Sequence, residues 1–286
     1  MDQSRPTVLV TGASSGIGLA TAQLLASSGF NVLAGVRSDA GRATIAACET
    51  PHLTSVWLDV TQPEHVEQLI PEIRRLSPGG LFALVNNAGI GPPSAVELTS
   101  LDELRMVLEV NTLAPLRMIQ ACLPLLRQGR GRIVNISSMN GSIALPMVGA
   151  YSASKFALEA LSDSLRIELR PWGIPVSMIR PGQVGTAIFD KAREALIERT
   201  EQIPPELLDG YQRLYARAAK FNERGAKAAT SPERVARKVL KALKARRPRL
   251  HYIVGADAHW LEAARVGLPS RWLERLIAAI SGANGK

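Results

Sequence analysis

A glycine-rich turn, Thr11-Gly12-Ala13-Ser14-Ser15-Gly16-Ile17-Gly18, stands between a short β-branched run at Thr7–Val10 and a helical period over Ile17–Ser27. A strand that feeds a helix through such a turn leaves room for an anion. The glycines let the backbone bend sharply and approach phosphates with no Cβ in the way, and the helix start offers unpaired N–H groups at its positive dipole end. The spacing is GxxxGxG and departs from the commoner GxGxxG. A glycine-rich turn alone is also compatible with a plain tight turn. Its position after a strand, before a helix and near the N-terminus points to dinucleotide binding.

The rest of the chain repeats the strand-then-helix order. Val8–Val10, Val32–Ala34, Val56–Leu58, Phe82–Val85, Arg132–Ile136 and Val176–Ile179 read as short, nearly continuous apolar strands, as parallel buried strands should. Helical stretches follow at Ile17–Ser27, Asp39–Ala47, Pro63–Leu76, Leu101–Leu126 and Tyr151–Arg170. This alternation predicts one α/β domain over residues 1–286, a Rossmann-type doubly wound parallel sheet with helices on both faces. Beyond Ile179 the pattern changes. Residues 186–230 carry mixed charge and an amphipathic stretch with Leu207, Tyr211, Leu214 and Tyr215 on one side, expected to form a lid over the site. A helix from Ser231, a last strand at Leu250–Val254 and a helical extension over 256–286 complete the reading.

Five motifs in register resemble the short-chain dehydrogenase/reductase family. They are the glycine turn at 11–18, Asn86-Asn87-Ala88-Gly89, Asn111 in a Val-Asn-Thr stretch, Ser137-Ser138 followed by Tyr151-Ser152-Ala153-Ser154-Lys155, and Pro181-Gly182-Gln183-Val184-Gly185-Thr186. The match spans residues 7–186, and the tail is similar to the hydroxysteroid and retinol dehydrogenase-like branch. The resemblance implies a nicotinamide-dependent oxidoreductase acting on a carbonyl or alcohol. It assigns Ser138 to the substrate oxygen, with Ser137 the competing candidate, and gives Asn111 a helix distortion and a proton-relaying water. It also implies cofactor contacts from Gly12, Ser14, Ser15, Gly16, Ile17, Gly18, Asn87, Ala88, Gly89, Tyr151, Lys155, Pro181, Gly182, Val184 and Thr186. Asp59 and Val60 resemble an adenine-contacting pair.

The chemistry is also readable from the residues. Tyr151 and Lys155 are four apart on a helix and share a face. Such a pair is often just a surface contact, but behind a cofactor turn it can work as an acid and base. An ordinary phenol titrates near ~10, and a neighbouring ammonium should bring it down. Val36 stands at the end of the second strand, where NAD binders place a carboxylate, and Arg37 follows. A guanidinium there can grip a 2′-phosphate, so the expected cofactor is NADP(H), although Arg37 could also be a solvated loop cation.

Met139, Leu145, Met147, Ile188 and Phe189 are candidates for an apolar substrate pocket that would take a medium-sized ketone, aldehyde or alcohol. Ordinary core packing accounts for them equally well. The net charge of +9 favours an anionic partner without choosing one. From Arg234 to Arg249 there are eight Lys/Arg and no acid, with an apolar stripe at Val235, Val239 and Leu243. This is either a solvated face or a weak membrane-surface contact, as is the C-terminal helix. No motif supports nucleic-acid binding, and His52, His65, His251 and His259 show no metal spacing. Two separated cysteines and no leader or spanning segment suggest a cytoplasmic location, either free or at a membrane surface. The family resemblance implies a homodimer or homotetramer. A non-catalytic NADP-binding sensor on the same fold is the alternative to an enzyme.

Overall fold

Why the apolar runs form one sheet is visible in their register. In the computed structural model, which describes residues 5–186, 194–199, 201 and 203–281 (backbone only at 208–210, 221–222 and 224–228), seven strands pair in parallel in the order β3-β2-β1-β4-β5-β6-β7. They are β1 (Thr7–Val10), β2 (Asn31–Val36), β3 (Leu53–Trp57), β4 (Ala83–Asn86), β5 (Arg132–Ile136), β6 (Val176–Pro181) and β7 (His251–Val254). Period-two alternation divides each central strand between two cores. Val8 and Val10 join Val32, Ala34, Val134 and Ile136 on one face, while Leu9 joins Leu33, Leu84 and Ile133 on the other. Every one of these side chains is nearly inaccessible to water, and each large one contributes roughly 1.5–3 kcal/mol by burial.

Helices cover both faces. The helices α1 (Gly16–Ser27) and α8 (Pro232–Lys244) close the first core, and α3 (Pro63–Leu76) and α5 (Ala114–Gln128) close the second. The apolar stripe of the basic stretch, Val235, Val239 and Leu243, is spent here against α1 and the sheet. A membrane contact through that stripe is therefore not available, because the sheet already occupies it. Only the cationic face of α8 meets solvent. Arg132 on β5 donates to the Leu243 and Ala245 carbonyls and so caps the end of α8.

The expected helix over 101–126 is two helices. α4 (Leu101–Leu108) passes into a wide turn at Glu109–Leu113 in which the Ala114 N–H reaches back to the Glu109 carbonyl, five residues away, before α5 begins. Pro115 has no N–H for the Asn111 carbonyl, so the ordinary ladder fails at this point. The remaining helices are α2 (Asp39–Ala47), α6 (Gly149–Glu168), α7 (Pro205–Ala228), α9 (Ala256–Gly267) and α10 (Ser270–Ser281). No helix among the described residues is long and apolar enough to cross a membrane. Cys48 and Cys122 are both free thiols, and burial pushes that of Cys122 up to about 12.

Candidate active site

The glycine turn sits at the carboxyl end of β1 and is clasped by the segment that leaves β4. The Thr11 hydroxyl accepts the Asn87 and Ala88 amides at 2.9 and 3.0 Å, and Asn87 Nδ2 donates to the Thr11 and Gly12 carbonyls at 2.9 and 3.0 Å. Asn87 thus spends its side-chain amide on shaping the turn. Gly12 and Gly16 have φ of +62° and +52°. A Cβ on Gly12 would lie 2.9 Å from Ala88 Cα, and one on Gly16 2.9 Å from Thr186 Cγ2. A Cβ on Gly18 would fall on the Gly12 carbonyl and the Asn87 amide. Ser15 caps α1 in an extended conformation with no side-chain capping bond, so its hydroxyl is not tied to the first turn. Ile17 is partly buried against the first core. A backbone cradle with no room for a Cβ at Gly12, Gly16 or Gly18, opening onto the free amides of a helix start, fits a pyrophosphate.

At the end of β2, Val36 is buried and Arg37 is exposed. Ser38 accepts the Gly41 amide at 3.1 Å, starting α2, and a Cβ on Gly41 would lie 3.1 Å from both the Ser14 and Val36 Cβ atoms. Ser14, Val36 and Gly41 thus form one small patch next to Arg37. Asp59 Oδ1 accepts the Thr61 amide at 3.0 Å and its hydroxyl at 2.8 Å. Burial pushes the Asp59 carboxyl up, but these bonds and the charges of Arg37 and His65 outweigh it and hold the group below the usual carboxylate range. Val60 is buried, and its carbonyl takes the Arg117 guanidinium at 2.8 Å.

Beyond β5, Ser138 and Tyr151 meet. The Ser138 hydroxyl, which accepts the Asn140 amide at 3.1 Å, faces the Tyr151 phenol, while Ser137, on the opposite side of the strand, lies by Glu159. Lys155, one turn along α6, places Nζ 5.7 Å from the Tyr151 ring centroid and donates to the Ile136 carbonyl at 2.9 Å. Lys155 is buried, which lowers its ammonium to about 8 against the opposing pull of Glu159. The expectation of a depressed phenol is corrected here. Burial raises Tyr151 above its ordinary value and outweighs the neighbouring Ser138 hydroxyl that lowers it. Enclosing a phenolate among protein atoms costs more than these neighbours return.

Asn111 lies in the wide turn with no exposed surface. It bonds Ile90 in both directions, at 2.9 and 2.8 Å, and donates to Ser154 Oγ at 2.9 Å. A Cβ on Gly89 would lie 3.2 Å from Asn111 Oδ1 and 3.7 Å from Lys155 Nζ. Gly91, which the sequence reading did not single out, lies against the Tyr151 ring, where a Cβ would come within 3.1 Å of Cδ2. The Pro181–Thr186 stretch leaves β6 beside the glycine turn, with Thr186 packed on Gly16. Its Gly182 and Gln183 meet Asp257 of α9, a second residue missed because no local signal links positions so far apart.

The apolar candidates divide. Met139 and Leu145 pack with Ile143, Ala258, Leu261 and Ile277, beneath the C-terminal helices. Met147 packs with Ala95 and Tyr215 under α7, whose Leu207, Tyr211 and Leu214 line the same cluster, as the amphipathic pattern predicts. Ile188 and Phe189 lie outside the described residues.

Residues 6–197 match the family model described as short chain dehydrogenase. The chain belongs to the short-chain dehydrogenase/reductase family. This short-chain dehydrogenase/reductase is 38% identical over 261 residues to 3-amino-tetrahydro-pyrrolizinone reductase of Xenorhabdus hominickii, covering 89% of this chain and 88% of the relative. It is 36% identical over 289 residues to retinol dehydrogenase 5 of Mus musculus, covering 96% and 88%. A solved short-chain dehydrogenase from Streptomyces avermitilis superposes over 100% of both chains with a TM-score of 0.77 at 28% identity.

Proposed function

We propose that this protein is an NADP(H)-dependent oxidoreductase that interconverts an apolar, medium-sized carbonyl compound and its alcohol. The observation that carries this reading is the joining of the Ser138 hydroxyl, the Tyr151 phenol and the buried Lys155 ammonium beside the glycine turn. The dinucleotide, when bound, supplies or accepts the hydride. Gly12, Ser14, Ser15, Gly16, Ile17 and Gly18 would hold its pyrophosphate, Asp59 and Val60 its adenine, and Ala88, Gly89, Pro181, Gly182, Val184 and Thr186 its nicotinamide half. Asn87 contributes through the shape of the turn.

In this reading Ser138 holds the substrate oxygen. Tyr151 gives it a proton in reduction and takes one in oxidation. Lys155 keeps positive charge beside the phenol, so the phenolate formed in reduction is stabilised where it appears. Asn111 keeps the Gly89–Gly91 strip against Tyr151 and Lys155. The substrate side is the pair of apolar clusters around Met139, Leu145 and Met147, with the lid expected over 186–230 represented by its described part, whose Leu207, Tyr211, Leu214 and Tyr215 pack beside Met147. The names of the two relatives, a reductase and a retinol dehydrogenase, agree with a carbonyl or alcohol substrate.

The choice of NADP(H) rests on Arg37, exposed at the end of β2 with Val36 where a carboxylate would otherwise repel a 2′-phosphate. Steady-state turnover with NADPH and NADH, over a panel of apolar and polar carbonyls, tests the whole reading. Wild-type protein should prefer NADPH, and Arg37→Ala should lose about tenfold or more of that preference. Equal use of both cofactors removes the NADP assignment. Tight cofactor binding with no turnover on any substrate favours a sensor.

A further inference from the structure

The stretch Gly182–Gly185 is held from several directions. The Gly182 amide donates to the Val254 carbonyl at 2.8 Å, the Gly185 amide to the Thr230 carbonyl at 3.0 Å, and the Gln183 carbonyl accepts the Thr230 amide at 2.9 Å. The Gln183 amide is the exception in kind. It donates at 2.7 Å to the Asp257 carboxylate, on the first turn of α9. The Val184 amide, between these anchored units, has no partner among the described residues.

The chain is shaped around that carboxylate. A Cβ on Gly182 would fall on the Asp257 carboxylate, and so would a Cβ on Gly255, whose φ of +109° also demands glycine. Any other residue at either position would expel the acid. Helix α9 makes a second bridge to the same segment, since Glu262 meets Arg180 at 3.5 Å, just ahead of Pro181. The helix therefore grips the end of β6 on both sides of Pro181, by one carboxylate at Arg180 and another at Gln183.

From this geometry we propose that Asp257 is a positioning residue for the cofactor. It fixes the Gln183 peptide through a charge-assisted hydrogen bond, and so aims the Val184 amide toward the nicotinamide half of the dinucleotide. A backbone carbonyl or water would satisfy Gln183. A carboxylate holds it more tightly and in one orientation. The inference rests on the oxidoreductase reading above, and extends it by making the C-terminal helices part of the cofactor site.

The test uses the full chain and two variants, Asp257→Ala and Asp257→Asn. The measurements are NADPH dissociation by calorimetric titration, the KM–kcat split, thermal unfolding, and hydrogen exchange at the Gln183 amide without cofactor. Asp257→Ala should weaken NADPH binding and raise its KM by about tenfold, while kcat at saturation changes far less. Gln183 exchange should accelerate. Asp257→Asn, which keeps an acceptor oxygen of the same reach, should recover part of both. Wild-type NADPH affinity and unchanged Gln183 exchange in a folded Asp257→Ala would overturn the proposal. If that variant does not fold, unchanged affinity and exchange in Asp257→Asn would do so. A wild-type chain that binds no dinucleotide overturns this inference and the oxidoreductase reading together. A wild type that binds, with variants that bind equally, overturns the inference alone.

Discussion

Asn111 and Ile90 hydrogen-bond each other twice: the Ile90 amide donates to Asn111 Oδ1 at 2.9 Å, and Asn111 Nδ2 donates to the Ile90 carbonyl at 2.8 Å. This pairing ties the wide turn between α4 and α5 to the strip whose Gly91 lies on the Tyr151 ring. Asn111→Leu keeps the branched side-chain skeleton but orphans both Ile90 groups. Urea unfolding should show a loss of about 1–3 kcal/mol. Turnover should fall by more than the cofactor affinity does, as the strip leaves the ring.

Tyr151→Phe removes only the hydroxyl. Removal of a general acid typically costs ~10²–10⁴-fold in rate, and kcat should fall by that order in both directions. NADPH affinity should remain close to wild type, because the ring still fills its place beside Gly91. Retained turnover would remove the acid–base assignment.

Lys155 carries a pH prediction. Its ammonium titrates at about 8 in the folded protein, lowered chiefly by burial. Carbonyl reduction should decline as pH rises through that value and positive charge beside Tyr151 is lost. Lys155→Arg, which stays charged, should move the declining limb upward even if its maximum is lower. Stability follows the opposite sense. The unfolded chain binds the proton more tightly, so the burial penalty is fully present below about 8 and fades as pH climbs toward the ordinary lysine value. Lys155→Met should therefore gain urea resistance at pH 7, and that gain should shrink by pH 10.

Glu159, one turn beyond Lys155, holds Arg180 through two hydrogen bonds of 2.9 Å and meets His251 at 3.3 Å, with side chains only 7–12% exposed in the Arg180 pair. Burial pushes its carboxyl up, but hydrogen bonds from His251 and Arg180 prevail and hold it below the usual range. Glu159→Gln removes the nearer carboxylate and leaves the buried Arg180 guanidinium only its longer 3.5 Å contact with Glu262, which should cost about 1.5–3 kcal/mol at neutral pH. A depressed carboxylate contributes its stability above the unfolded value and loses it as pH falls through the folded one. The gap between variant and wild type in urea midpoint should thus narrow in acid.

Much of this architecture is written in local chemistry. The helices at Asp39–Ala47 and Pro63–Leu76 lie where the sequence pattern predicts them, because a Ser38 cap and a proline in the first turn are signals that a short window contains. The doubly wound sheet follows from strand and helix alternating in order. Asn111, Ser138, Tyr151 and Lys155 converge because each lies at a fixed offset from a strand end or along one helix. The resemblance implies a distortion at Asn111 within the 101–126 helix, and the wide turn that forms there draws on the Asn111 bonds to Ile90 and Ser154. Those partners come from other segments.

Order along the chain was enough to specify the layered sheet, the place of the glycine turn and the helix face shared by Tyr151 and Lys155, since all three depend on spacing over a few residues. Three-dimensional packing settled matters that spacing could not reach. It directed Ser138 to the phenol and Ser137 to Glu159, hid the Val235–Leu243 stripe against α1, raised the Tyr151 phenol instead of lowering it, and brought Asp257 to Gln183. Each of these outcomes turns on how much water the surrounding segments exclude and on which distant groups they press together, and neither quantity exists until the chain has closed on itself.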